Sequence, residues 1–158
     1  MSDMPEFRYR GARALMILQE KELRLFVDTW KKAKEVGVTL PPTKNPDYES
    51  FDQILHHVVF RARDIMLWIC KSLELPEPPF DPVPGAAELE HRVDGYLDRL
   101  LLQMRTPLTG VPGRDFYFKT YTSAWRTDYC LDAMLEHLVI HPMRHRFQLE
   151  ELMQNKEE

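Results

Sequence analysis

Three of the chain's six histidines, His137, His141 and His145, recur at four-residue intervals in an apolar run near the C-terminus. On an α-helix, side chains four apart share a face, so these imidazoles would form a ridge. Neutral imidazole is a ligand for divalent transition metals, and a neighbouring pair could chelate one ion. All three could not hold the same ion, because a rise of about 1.5 Å per residue places His137 and His145 about 12 Å apart along the axis. Spacing leaves both pairs open, His137 with His141 or His141 with His145. A pair gives two ligands, and a catalytic site generally draws a third from elsewhere in the fold. His56 and His57, adjacent in a second strongly apolar segment, could supply it. Each buried imidazole nitrogen left unbonded would cost about 1 to 3 kcal/mol, a cost that one shared ion removes.

The elements that must position these residues are helical. From about Phe7 to Val36, apolar residues recur at helical spacing through Ala14, Leu15, Leu18, Leu25, Phe26, Trp30 and Ala33, with Lys and Glu opposite. Gly37 fits a C-cap, and Leu40 to Pro46, with three prolines, cannot continue the helix. A second helix begins near Ser50 and runs to about Leu73, carrying His56 and His57 in its first turns. Leu75 to Gly85 holds five prolines and reads as an extended connector. The third helix spans about Ala86 to Met104, with Leu89, Val93, Tyr96, Leu97, Leu100, Leu101 and Met104 on one stripe. Beyond Pro107, the run Phe116 to Tyr121 alternates, fitting either a short strand or an aromatic cover. A fourth helix opens between Ser123 and Thr127 and extends to about Met153.

Four long amphipathic helices without a convincing set of strands predict an all-α four-helix bundle, and connectors of about a dozen residues allow an up-down-down-up order. The chain has 158 residues, 44% apolar and 29% charged, which is one globular domain with a real core. A net charge of −4 gives no basic footprint for nucleic acid. Glu6, Arg8 and Arg10 occupy the place of a signal-peptide apolar run, and no segment approaches 18 apolar residues. A cytoplasmic protein with no membrane partner is expected. Cys70 and Cys130 lie in apolar helical patterns without CxxC-like spacing, as buried free thiols do.

The run His141-x-x-x-His145-Arg146-x-Gln148, on the last helix of such a bundle with a further His early on the second, resembles the DinB/YfiT-like family of metal-dependent enzymes. In that family a second-helix His joins an H-x-x-x-H pair of the last helix, and the pair is commonly followed by Arg-x-Gln. The resemblance spans nearly the whole chain by architecture, while its specific part is the three-histidine pattern with Arg146 and Gln148. It implies His141 and His145 as ligands. Leu55-His56-His57-Val58 is similar to the family's leucine-leucine-x-His pattern, which implies His57 as the third. Pro142 departs from the small or polar residues usual between the two histidines. It has no N–H for the Leu138 carbonyl and costs about 3 kcal/mol inside a regular helix, so the helix is expected to kink or to restart there.

Around this centre, Gln148 would orient a ligand's second nitrogen. Arg146 is either solvent-exposed or a contact for a substrate anion. His137 is core or an outer neighbour of the site, or in a sharper role an alternative ligand or proton acceptor. His91, between acids, reads as surface. Trp30, Trp68 and Trp125 read as core or interface anchors. Three neutral nitrogens suit Zn, Ni, Fe or Co. The chemistry expected of such an ion is hydrolysis or the activation of a small thiol, and the resemblance likewise implies thiol-dependent transferases or isomerases. The competing class is a bundle in which the metal ties helices together without catalysis. Phe116, Tyr117, Phe118 and Tyr121 exceed what one small bundle readily buries, which predicts a homodimer.

Overall fold

A computed structural model describes residues 3–158. Its elements are α1 (Arg10–Glu35), α2 (Phe51–Ser72), α3 (Ala86–Met104), α4 (Arg114–Tyr117), β1 (Tyr121–Thr122), β2 (Asp128–Tyr129) and α5 (Leu131–Glu157), with a single 3₁₀ turn, Pro46–Tyr48, before α2. The fold is mostly helical, and its four long helices correspond to the four expected. Local chemistry sets several ends. Gly37, at φ +70°, follows the end of α1, a conformation that glycine adopts without a Cβ penalty. Ser50 caps α2 by accepting from the Gln53 N–H at 3.2 Å.

Contacts fix the directions of the helices. Tyr9, just before α1, donates to Asp132 at the start of α5 (3.0 Å), and Lys156 near the end of α5 donates to the Gly37 carbonyl (3.0 Å). These two helices therefore run parallel and form the most extensive packing in the molecule. Ion pairs of Arg24 with Asp98, Lys31 with Asp94 and Lys34 with Glu90 set α3 antiparallel to α1. The start of α2 meets the end of α1, where Trp30 Nε1 donates to the Phe51 carbonyl at 2.7 Å. Its far end meets β1, ahead of α5, where Trp68 Nε1 donates to the Thr122 carbonyl at 3.2 Å. Hence α2 and α3 are parallel, the order is up-down-down-up, and the proline-rich connector crosses the molecule between them. The Asp81 carbonyl in that connector accepts from Arg63 of α2 (2.9 Å) and Tyr96 of α3 (2.8 Å).

Two expectations are corrected. The stripe of α1 does not pass through Leu18 and Leu25, which are 45% and 36% exposed. Met16, Leu23 and Val27 are buried instead, alongside the expected Phe26, Trp30 and Ala33 and together with Gln19 and Glu22. A polar pair brought inside rotates the face, because Glu22 meets Arg146 of α5 at 3.0 Å. The last helix begins at Leu131, later than Ser123 to Thr127, because those residues turn a small antiparallel ribbon. In it Tyr121 pairs with Tyr129 and Thr122 with Asp128, and Arg126 sits at φ 64° in the turn. Of the aromatic run, Phe116 is buried and Tyr117 lies in the one-turn α4. Tyr121 packs edge-on against Trp68, with ring centroids 6.2 Å apart. No helix among the described residues is long and apolar enough to cross a membrane.

Candidate metal centre

His57 projects from α2 toward α5, and His141 and His145, one turn apart on α5, face it. The ring centroids lie 5.0 Å apart for His57 and His141, 5.3 Å for His57 and His145, and 4.8 Å for His141 and His145. One nitrogen from each ring falls within 4.8 Å of the others. His57 Nε2 and His141 Nε2 are only 3.1 Å apart. Of the two pairs that spacing left open, the one brought to α2 is His141 with His145. His56 points elsewhere and stacks on Phe60 at 5.8 Å. Helix α5 passes through Pro142 without a break, so no restart is needed to align the two imidazoles.

Outer partners orient two of the rings. His145 Nδ1 lies 3.1 Å from Gln148 Oε1, and His57 Nδ1 lies 3.3 Å from Asp47 Oδ2. An amide oxygen and a carboxylate can only accept, so the hydrogen-bond network assigns the proton to Nδ1 in both rings and a lone pair to both Nε2 atoms. His145 Nε2 is buried without a hydrogen-bond partner among the described residues. Such a nitrogen, aimed at two further imidazoles, is what a cation would satisfy, and the donor set of neutral nitrogens fits a transition metal.

Electrostatics hold the cluster neutral. Burial first, then the neighbouring His145, His57 and His137, push His141 down to about 2. Burial, followed by His57 and Arg144, lowers His145 to about 4. His57 is lowered by burial against an opposing pull from Asp47. All three therefore present lone pairs at neutral pH, the form that metal ligation requires.

Sequence reasoning missed the 3₁₀ turn. Asn45 accepts from the Asp47 N–H at 3.0 Å and starts it, setting Asp47 on His57. The Tyr48 ring lies 5.2 Å from His57 and 5.5 Å from His145. The only signal was an acid and an aromatic in a proline-rich loop directly before the helix that carries His57. Above the centre, toward the end of α5, Tyr48, His145 and Gln148 join Leu40, Ile54 and Leu149 around a cavity of about 330 Å³.

The other expected site residues fall around the centre. His137 stands one turn before His141, centroids 5.8 Å apart, with Trp125 at 5.5 Å. Its pKa is lowered by burial, then by Arg144 and Arg61. Arg146 is neither solvent-exposed nor free, since it binds Glu22 (3.0 Å) and Glu150 (2.8 Å). Two other arginines act on the histidines instead. Arg61 and Arg144 both bias His57 and His137 toward neutrality. Their spacing, four residues after His57 and three after His141, is the helical signal that could have found them. Cys70 is buried and its thiol pushed up to about 11 by that burial, while Cys130 is only partly buried; both are free. Compared with known proteins, the chain matches no family model, no curated protein and no solved structure.

Proposed function

We propose that this chain is a four-helix bundle of the DinB/YfiT-like type whose His57, His141 and His145 hold one divalent transition metal, Zn, Ni, Fe or Co, and that it activates a small nucleophile, a low-molecular-weight thiol ahead of water. The observation that carries the proposal is the convergence of the three rings with His145 Nε2 buried and unpartnered. A bound ion of this kind supplies Lewis acidity, lowering the pKa of a thiol or of water and stabilising an anion.

The chain's own residues do the rest. Asp47 and Gln148 hold the outer nitrogens of His57 and His145, so both rings present Nε2 inward. Tyr48 packs its ring against His57 and His145 on one side. His137, half-buried and held neutral, is placed to accept a proton. Arg146 takes a positioning role in this reading, tying α5 to α1 through Glu22. An external thiol is favoured because neither cysteine is poised as a nucleophile. Cys70 is buried with a raised pKa, and Cys130 sits outside the three-histidine cluster. Two free cysteines and the absence, among the described residues, of a membrane-crossing helix support a cytoplasmic location.

The alternative reading, a metal that only ties α2 to α5, is favoured by the linkage of those two helices through the same three histidines. Cobalt loading separates the readings. Titration of biological thiols into the cobalt protein is expected to raise a sulfur-to-metal charge-transfer band. No band with any thiol, together with turnover of an ester or amide panel that His57→Ala abolishes, would transfer the assignment to a hydrolase. Inactivity in both assays would favour the tie.

A further inference from the structure

A second surface borders the centre on the side opposite the apolar cavity, toward the ribbon. Its residues follow one another from α2 to α5 in a chain of ring contacts. Arg61 lies one turn beyond His57, and its guanidinium carbon is 5.9 Å from the Trp125 ring centroid. Trp125 is 5.5 Å from His137, His137 is 5.8 Å from His141, and His141 returns to His57 at 5.0 Å. Planar rings and one guanidinium thus border the three histidines on this side.

Arg61 is available in a way that most nearby arginines are not. Arg63 is bonded to the Asp81 and Phe80 carbonyls, Arg105 to Glu20, and Arg146 to Glu22 and Glu150. The sole ion-pair partner of Arg61 among the described residues is Asp64 at 3.6 Å, an exposed pair three residues apart of the kind worth little in water. Trp125 is 40% exposed yet not loose, because its Nε1 donates to Tyr129 Oη at 3.1 Å and the two rings meet edge-on. A fixed, partly exposed indole with a guanidinium over its ring, held otherwise only by the weak pair with Asp64, offers a stacking surface and a bidentate fork at little further cost in conformational entropy.

We propose that the rim of Arg61, Trp125 and His137 binds the carboxylate of a small organic anion whose planar portion stacks on Trp125; this rests on the reading of the centre as a reaction site. One planar fork matches a carboxylate, whereas a phosphate group is generally met by several backbone N–H groups or a cluster of cations, and the rim has neither. Arg144, exposed and without an ion pair among the described residues, adds positive field on the same face of α5. The rim sits below the centre and the cavity lined by Tyr48 and His145 above it. That arrangement gives two substrates separate approaches, as a transfer reaction needs.

Benzoate and its neutral isostere benzamide test the proposal, titrated into the metal-free and the zinc-loaded protein. Isothermal titration follows affinity, and the Trp125 indole N–H resonance follows location. Benzoate is expected to bind at least about tenfold more tightly than benzamide and to shift the Trp125 resonance in both forms. Arg61→Gln should weaken benzoate by about tenfold, Arg61→Lys by less, and Arg92→Gln, at an exposed position of α3, not at all. Equal affinity for the two probes, or an unmoved Trp125 resonance, overturns the proposal without recourse to any variant. Metal content measured on the same samples reports separately. Rim binding without metal uptake contradicts the metal reading alone, and metal uptake without rim binding contradicts this inference alone.

Discussion

His145 directs its Nδ1 to the Gln148 side-chain oxygen at 3.1 Å, one turn further along α5, and its opposite nitrogen is thereby left buried and unpartnered between His57 and His141. That pairing fixes the ring's tautomer before any ligand arrives. Gln148→Ala should therefore weaken metal binding by about 10- to 100-fold, the range typical of lost outer partners, while leaving the fold intact because Gln148 is exposed. Asp47→Ala should act in the same direction through His57. Competition against a chelator of known affinity measures both, and unchanged affinity in both variants would show that the rings need no such orientation.

Pro142 lies inside α5 between the two histidines and is buried. Its backbone cost of about 3 kcal/mol exceeds the packing that a smaller side chain would lose there. Pro142→Ala should raise the thermal midpoint of the metal-free protein and, because α5 already runs unbroken between His141 and His145, leave metal affinity within about a few-fold. A less stable variant would contradict the first expectation, and a large loss of metal affinity the second.

The buried imidazoles make the metal-free protein acid-sensitive. Their folded pKa values lie below the unfolded value of about 6.5, to about 4 for His145 and about 2 for His141, so the unfolded chain takes up protons first as pH falls. The stability they hold is present above pH about 6.5 and is lost on acidification toward pH 4, by at most about 1.4 kcal/mol per pH unit for each ring. Urea midpoints measured between pH 8 and pH 5 should fall below pH 6.5. Replacing both histidines by glutamine should flatten that slope, and an unchanged slope would place the acid sensitivity elsewhere.

Much of the architecture was legible because its punctuation is chemical. Ser50, Gly37 and the prolines from Leu75 to Pro84 mark element ends by what their backbones can and cannot do, and the span of α3 was read correctly from its apolar stripe. The face of α1 was not, because Gln19 and Glu22 are buried where the pattern puts polar residues outside. Glu22 is accounted for by Arg146. The Gln19 amide has no partner among the described residues, and nothing in the structure explains it. In the site, periodicity could bring His141 and His145 to one side of a helix but could not report Asp47 and Tyr48, whose positions depend on a proline-rich turn folding back over α2. The resemblance pointed to Arg146, which faces α1, and neither it nor periodicity singled out Arg61 and Arg144.

Association into a homodimer remains a proposal with a narrower basis than the aromatic run first offered. Phe116 is buried and Tyr121 covered, but Phe118 is 83% and Tyr117 50% exposed. Light scattering over a hundredfold range of concentration should give twice the chain mass, and Phe118→Glu should halve it. A monomer throughout would remove the dimer.

The central claim is the three-histidine metal centre, and elemental analysis of the purified protein, after loading with zinc and removal of excess ion, tests it most directly. One metal per chain is predicted, falling to near zero in His57→Ala, His141→Ala and His145→Ala and unchanged in His56→Ala. Metal content unaltered by His141→Ala and His145→Ala, or no metal in a folded wild-type chain, would contradict it.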